Sequence, residues 1–270
     1  MVFNMTNHDE MKEQHQENQN EDLSKDQNDV SPKGNIALNI LILIGWMILA
    51  QLPIIIILTI TNLSVKMDTL KATMSTVLYL IVVSVVVWLI RRYYRRHTYE
   101  HTGKFTTKDI GINIGWAALL RIIVYAFLFL LYKVTGSAQT SNDKLLFGDM
   151  NQQATDASQL AQVFPFIVFV ITISFIAPYL EELIYRGIFK ETLFKKTSFW
   201  LPFIISSIVF GSQHGINNII SFIMYTSMGM VFYLAYSRRG NIKDSMMVHM
   251  IHNSIIGIAI LVGYLYIMFK

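Results

Sequence analysis

Apolar runs of roughly 18 or more residues recur along this chain, and a helix of that length can cross a bilayer core of ~30 Å. Seven spans are read at 36–61, 72–90, 113–134, 161–189, 198–213, 216–237 and 245–268. Over 270 residues the chain is 53% hydrophobic, and its mean hydropathy of +0.43 lies well above that of a soluble globular domain. The expected fold class is all-α, a polytopic transmembrane helix bundle of about seven spans. Three regions follow: a polar tail over 1–34, N-terminal transmembrane helices over 35–134, and a second transmembrane core over 160–268. The first apolar run starts near residue 36, behind the tail, so it reads as a retained span and not as a cleavable signal.

Charge divides the chain unevenly. Residues 1–34 hold eight acidic and three basic residues, whereas the remainder holds 19 basic and 10 acidic. The tail has too little apolar content to fold and is expected to be disordered. Basic residues concentrate on alternate connections: Arg91, Arg92, Arg95, Arg96, Lys104 and Lys108; then Lys190, Lys195 and Lys196; then Arg238, Arg239 and Lys243. The opposite side carries Lys66, Lys71, Lys133, Lys144 and Lys270. By the positive-inside rule the richer side faces the cytoplasm. A multi-pass protein of the cell membrane is expected, with its N-terminus cytoplasmic, its C-terminus external, and 136–159 as an external loop. Juxtamembrane topology accounts for these basic loops without a nucleic-acid partner.

Within the apolar spans a few polar residues stand out. Glu181 and Glu182 lie side by side in the fourth span, with Arg186 four residues after Glu182. An ionisable group at membrane depth costs ~2.5–3.5 kcal/mol or more, so it normally faces a polar cavity and serves a function. Residues four apart share a helix face, so Glu182 can pair with Arg186. Glu181 points about 100° away round the axis, free to enter a cavity as a general base. A second cluster is Phe210-Gly211-Ser212-Gln213-His214-Gly215; a third is His249-Met250-Ile251-His252-Asn253, in which His249 and Asn253 share a face. His252 reads as an ordinary interfacial histidine, and Arg121 in the third span as a snorkelling side chain or a partner of a neighbouring carbonyl. The chain has no cysteine, which excludes a thiol nucleophile and a disulfide framework. No Gly-x-Ser-x-Gly elbow and no His-Glu-x-x-His helix is present.

Glu-Glu-x-x-x-Arg, then Phe-x-x-x-His, then His-x-x-x-Asn is an order that resembles the CAAX-protease and bacteriocin-processing (CPBP) family. This family of intramembrane proteases includes the CAAX prenyl protease of Rce1 type and the Abi proteins. The matching positions are Glu181, Glu182 and Arg186; Phe210 and His214; His249 and Asn253. The resemblance covers about residues 160–256 and does not reach residues 1–112. It implies peptide-bond hydrolysis in a membrane cavity open to the cytoplasm. Glu181 and His214 would activate a water, and His249 and Asn253 would stabilise the oxyanion. Glu182, Arg186 and Phe210 would support them. Glu181, His214 and His249 are also the ligands a catalytic Zn²⁺ would use, because the family is described both as metalloprotease and as metal-free; the metal-free route is the one favoured here.

The expected substrate is a membrane-bound or lipidated protein, or a small peptide precursor. Two other readings stand beside it: a non-catalytic protein of the same fold, giving bacteriocin immunity or acting as a membrane scaffold, and an ion or proton carrier. One geometric tension remains in the sequence. At ~1.5 Å per residue, Glu181 lies about 14 Å in from Lys190 and His214 some 24 Å in from Ser198. Tilt, or a break at Gly211 or Gly215, would have to level them.

Overall fold

The computed structural model describes residues 35–98, 103–148, 157–195 and 197–270, and among these the regular structure is entirely helical. The acidic tail, Lys196 and part of the 136–159 loop lie outside the described residues. Eight helices follow in order: α1 Ile36–Ser64, α2 Thr69–His97, α3 Thr107–Thr135, a short α4 Ser141–Phe147, α5 Val163–Leu193, α6 Trp200–Gly215, α7 Ile219–Ser237 and α8 Ile242–Met268. Six of them, all but α4 and α6, are long and apolar enough to cross a membrane. At 16 residues, α6 is the shortest of the seven expected spans.

Helix ends extend past the apolar windows because polar caps and charged turns carry the backbone further. Asp68 caps α2 by accepting from the Lys71 backbone N–H, which holds its carboxyl below the ordinary value. A capping box of Thr106 and Asp109 starts α3, several residues before the apolar run. Gly136, at φ +75°, ends that helix in the left-handed conformation. Arg91, Arg92, Arg95 and Arg96, expected in a connection, continue α2 instead. The stretch expected as an external loop contains a helix of its own, α4, started by Thr140 and Asp143.

The helices form an inner and an outer set. About half or more of the most apolar window is buried in α5 and α7, against less than a third in α1, α2, α3 and α8. Trp88, Ile122 and Phe129 are among the large side chains left more than half exposed, as lipid-facing positions are. The closest seam is α6 on α7, which run as an antiparallel hairpin. Ser207, Gly211 and Gly215 recur every four residues on α6 and let the backbones approach. A Cβ on Gly215 would fall 2.7 Å from the Ser221 backbone, and one on Gly229 of α7 would fall 2.9 Å from Cα of Ser207.

The central helix α5 is not a regular α-helix. Two π turns, Thr172–Ile176 and Leu183–Ile188, flank one α segment, Ala177–Glu182. Pro178 lacks the N–H that would bond back along the helix, which gives the first wide turn a local cause. Each π turn shifts the side chains that follow it round the axis, and such bulges recur at functional sites. Tyr79 of α2 fixes the first one through a 2.8 Å hydrogen bond to Thr172.

Candidate active site

The α segment between the two π turns carries Glu181 and Glu182, and the structure gives them different surroundings. Glu182 has no exposed side-chain surface, whereas Glu181 keeps 12%. Glu182 Oε1 accepts from Arg186 Nη1 at 3.2 Å, the pairing expected from the spacing. It also accepts from His249 Nδ1 of α8 at 2.9 Å, a contact that no spacing within one helix could reveal. Arg186 is itself buried, donates to the Gly229 carbonyl of α7 at 2.8 Å, and lies against the rings of Tyr185, Phe210 and Phe232. A cation beside three aromatic faces recovers part of the interaction it loses on leaving water.

Glu181 faces two imidazoles from two other helices. Its Oε1 lies 3.8 Å from His214 Nε2 of α6, and its Oε2 lies 3.8 Å from His249 Nε2 of α8. These gaps exceed a direct hydrogen bond, yet are short enough for one water to touch both sides. The far nitrogens are occupied: His214 Nδ1 meets the Phe210 carbonyl at 2.9 Å, and His249 Nδ1 meets Glu182. Each Nδ1–H donates outward, so both Nε2 atoms turn toward the Glu181 carboxylate. Aromatic rings hold the two histidines in place. Phe210 stacks on His214 at 4.5 Å between centroids, and Phe232 stacks on His249 at 4.1 Å.

Asn253 is also in the region, but its side-chain N–H donates to the Ile173 carbonyl at 2.9 Å. Ile173 belongs to the first π turn, where the widened ladder leaves carbonyls in need of a donor. An amide NH₂ carries two hydrogens, so one remains. The depth mismatch expected from straight helices is absent: Glu181 meets both imidazoles. The π turns of α5 and the end of α6 at Gly215 account for this, and Gly211 marks a close approach to Thr226, not a break.

Other expectations fare differently. Arg121 donates to the His252 carbonyl at 2.6 Å, as the reading of a carbonyl partner required. His252 is a correction: it is buried at 3% exposure and not interfacial, because the Arg121 contact draws this stretch of α8 into the bundle. Glu181, His214 and His249, the suggested zinc ligands, do converge, but among the described residues no group of three His, Asp or Glu side chains is arranged to hold a metal ion. Sequence reasoning missed Phe232, which has no polar signal in α7, and the hydrogen bond from the Tyr185 hydroxyl to Gln213 beside His214.

The helices bearing this constellation define a multi-pass membrane protein. Residues 163–255 match the family described as "Type II CAAX prenyl endopeptidase Rce1-like", so the resemblance drawn from the motifs is borne out over this part of the chain. Over 152 residues the chain is 28% identical to "Putative membrane peptidase YdiL" of Bacillus subtilis, covering 55% of this chain and 57% of that protein. It is 33% identical over 155 residues to "UPF0177 protein YvdC" of Lactococcus lactis, covering 54% of this chain and 55% of that one. The chain thus spans a little over half the length of the curated relatives it matches. No solved structure matches it significantly.

Proposed function

We propose that this protein is an intramembrane endopeptidase that hydrolyses a peptide bond with a water activated by Glu181 and His214. The observation that carries this reading is the placement of Glu181 between two imidazole Nε2 atoms at 3.8 Å each, delivered by three separate helices. The family description and the name of the Bacillus relative support the reaction class. In the proposed reaction Glu181 takes a proton from the water, which His214 Nε2 helps to hold. The resulting hydroxide attacks the scissile carbonyl, and the proton passes to the departing amine.

The oxyanion formed on attack needs donors. His249 supplies one from Nε2 only when its ring carries both protons, since Nδ1–H is directed at Glu182; the buried Glu182 carboxylate is the counter-charge such a ring needs. Asn253 supplies the second through the amide hydrogen not used on Ile173. Removing one donor from a water-poor site costs ~10²–10³ in rate. The proposed substrate is a membrane-associated or lipidated protein or a small peptide precursor, approached from the basic, cytoplasmic side of the bundle.

The test compares membrane and secreted peptidomes of cells carrying the native chain and Glu181→Gln. Peptides present only with the native chain, and lost again in His214→Ala, are the expected result. Identical peptidomes, with both proteins folded and in the membrane, would sink the reading.

A further inference from the structure

Away from Glu181 the molecule carries a groove that this reaction does not use. It runs beside α8 and has a volume of about 510 Å³, within the ~300–1,000 Å³ range of small-molecule sites. From α8 come Met246, Met247, Met250 and Ile258; Phe175, on the first π turn of α5, and Phe105, just before α3, complete the walls. Phe175 is 48% exposed and Ile258 60%, so the groove opens sideways on the face that meets hydrocarbon. Methionines at such a surface adapt their flexible chains to what lies against them.

The groove is lined almost wholly by apolar atoms, with one lysine at its end. That lysine is Lys243, in the first turn of α8. The arginines next to it are matched: Arg238 and Arg239 bind Asp109 and Asp244 at 2.8–3.2 Å. Those two carboxylates are thereby engaged, and the Lys243 ammonium has no acidic partner among the described residues. Lys104 and Lys108 flank Phe105 and are exposed. Arg239 ties this rim together by donating to the Lys104 carbonyl and lying over the Phe105 ring. An apolar slot that ends at a lysine with no acidic partner among the described residues, with two further lysines nearby, has the chemistry of an anionic amphiphile site.

We propose that this groove binds a phospholipid with an anionic headgroup, one acyl chain lying along Met246, Met247 and Met250 and the headgroup meeting Lys243. The site is separate from the catalytic residues, although α8 carries both on different faces: Met250 and Ser254 line the groove, while His249 reaches Glu181.

Delipidated full-length protein is titrated with phosphatidylglycerol and with phosphatidylcholine of identical chains, and retained lipid is counted by native mass spectrometry. Phosphatidylglycerol is expected to bind about tenfold more tightly, and Lys243→Gln to remove most of that preference while leaving phosphatidylcholine unchanged. Filling the slot with Ser254→Trp should abolish retention of both. Ile258→Trp, at a more exposed position, serves the same end if the first variant does not fold. Equal binding of the two lipids would mean a non-specific annular contact and would overturn the proposal, as would an unchanged preference in Lys243→Gln or full retention in both tryptophan variants. Because no peptide bond is cleaved in this assay, its outcome is independent of the endopeptidase reading.

Discussion

At the scale of single residues, the pair Glu181 and Glu182 shows how one helical step separates two tasks. Glu182 is sealed between Arg186 and His249, while Glu181 keeps an edge toward both imidazoles. The first half of that division was legible in the i, i+4 spacing with Arg186. The His249 contact was not, because it joins residues 67 positions apart on different helices. Removing one partner from a buried ion pair leaves an uncompensated charge, typically a loss of ~3–5 kcal/mol. Arg186→Met should therefore destabilise the protein by about that amount. The check is thermal unfolding in detergent, where a change of melting temperature no larger than that of a lipid-facing control such as Ile122→Met would contradict it.

At the scale of elements, apolar length and polar interruptions gave seven spans, their order and the three helices that bear the motifs. They did not give the helix ends, where Thr106, Asp109 and the Arg91–Arg96 stretch extend regular structure beyond the hydrophobic windows. Nor did they give the two π turns of α5, since periodicity is blind to one extra residue in a turn. The α6–α7 seam was half legible: a break at Gly211 or Gly215 was one way to level the site, and α6 does end at Gly215, but Ser207, Gly211 and Gly215 are also points of close contact with α7. Overpacking such a seam costs ~1–3 kcal/mol. Gly229→Val should lower stability by that order and push α6, with His214, away from Glu181. In this cysteine-free chain the displacement is measurable by spin labels at Ser212→Cys and Lys190→Cys. An unchanged distance distribution with unchanged stability would refute the close-packing account.

For the whole molecule, the argument turns on which side faces which compartment. The Arg238, Arg239, Asp109 and Asp244 cluster joins the start of α3 to the turn between α7 and α8, so two of the basic connections lie together at one end of the bundle. If that end is cytoplasmic, a lone cysteine at Ser137 should react with a membrane-impermeant maleimide in intact cells, and one at Lys108 only after lysis. The reverse pattern would invert the assignment and place the approach to Glu181 on the outer side. Sequence charge alone sufficed for this prediction, because neither lysines nor arginines cross the membrane readily.

The brevity of α6 has a mechanical outcome for the surrounding lipid. Sixteen residues rise about 24 Å, several ångströms short of a ~30 Å hydrocarbon layer. A sheet of lipid meeting a short rod is pinched toward it, or lets water down to its tip. That dimple would form over the 216–218 turn, directly after Gly215 and two residues from His214. Moisture admitted there would reach His214 from the side opposite the basic connections, across the bundle from where the peptide is proposed to arrive.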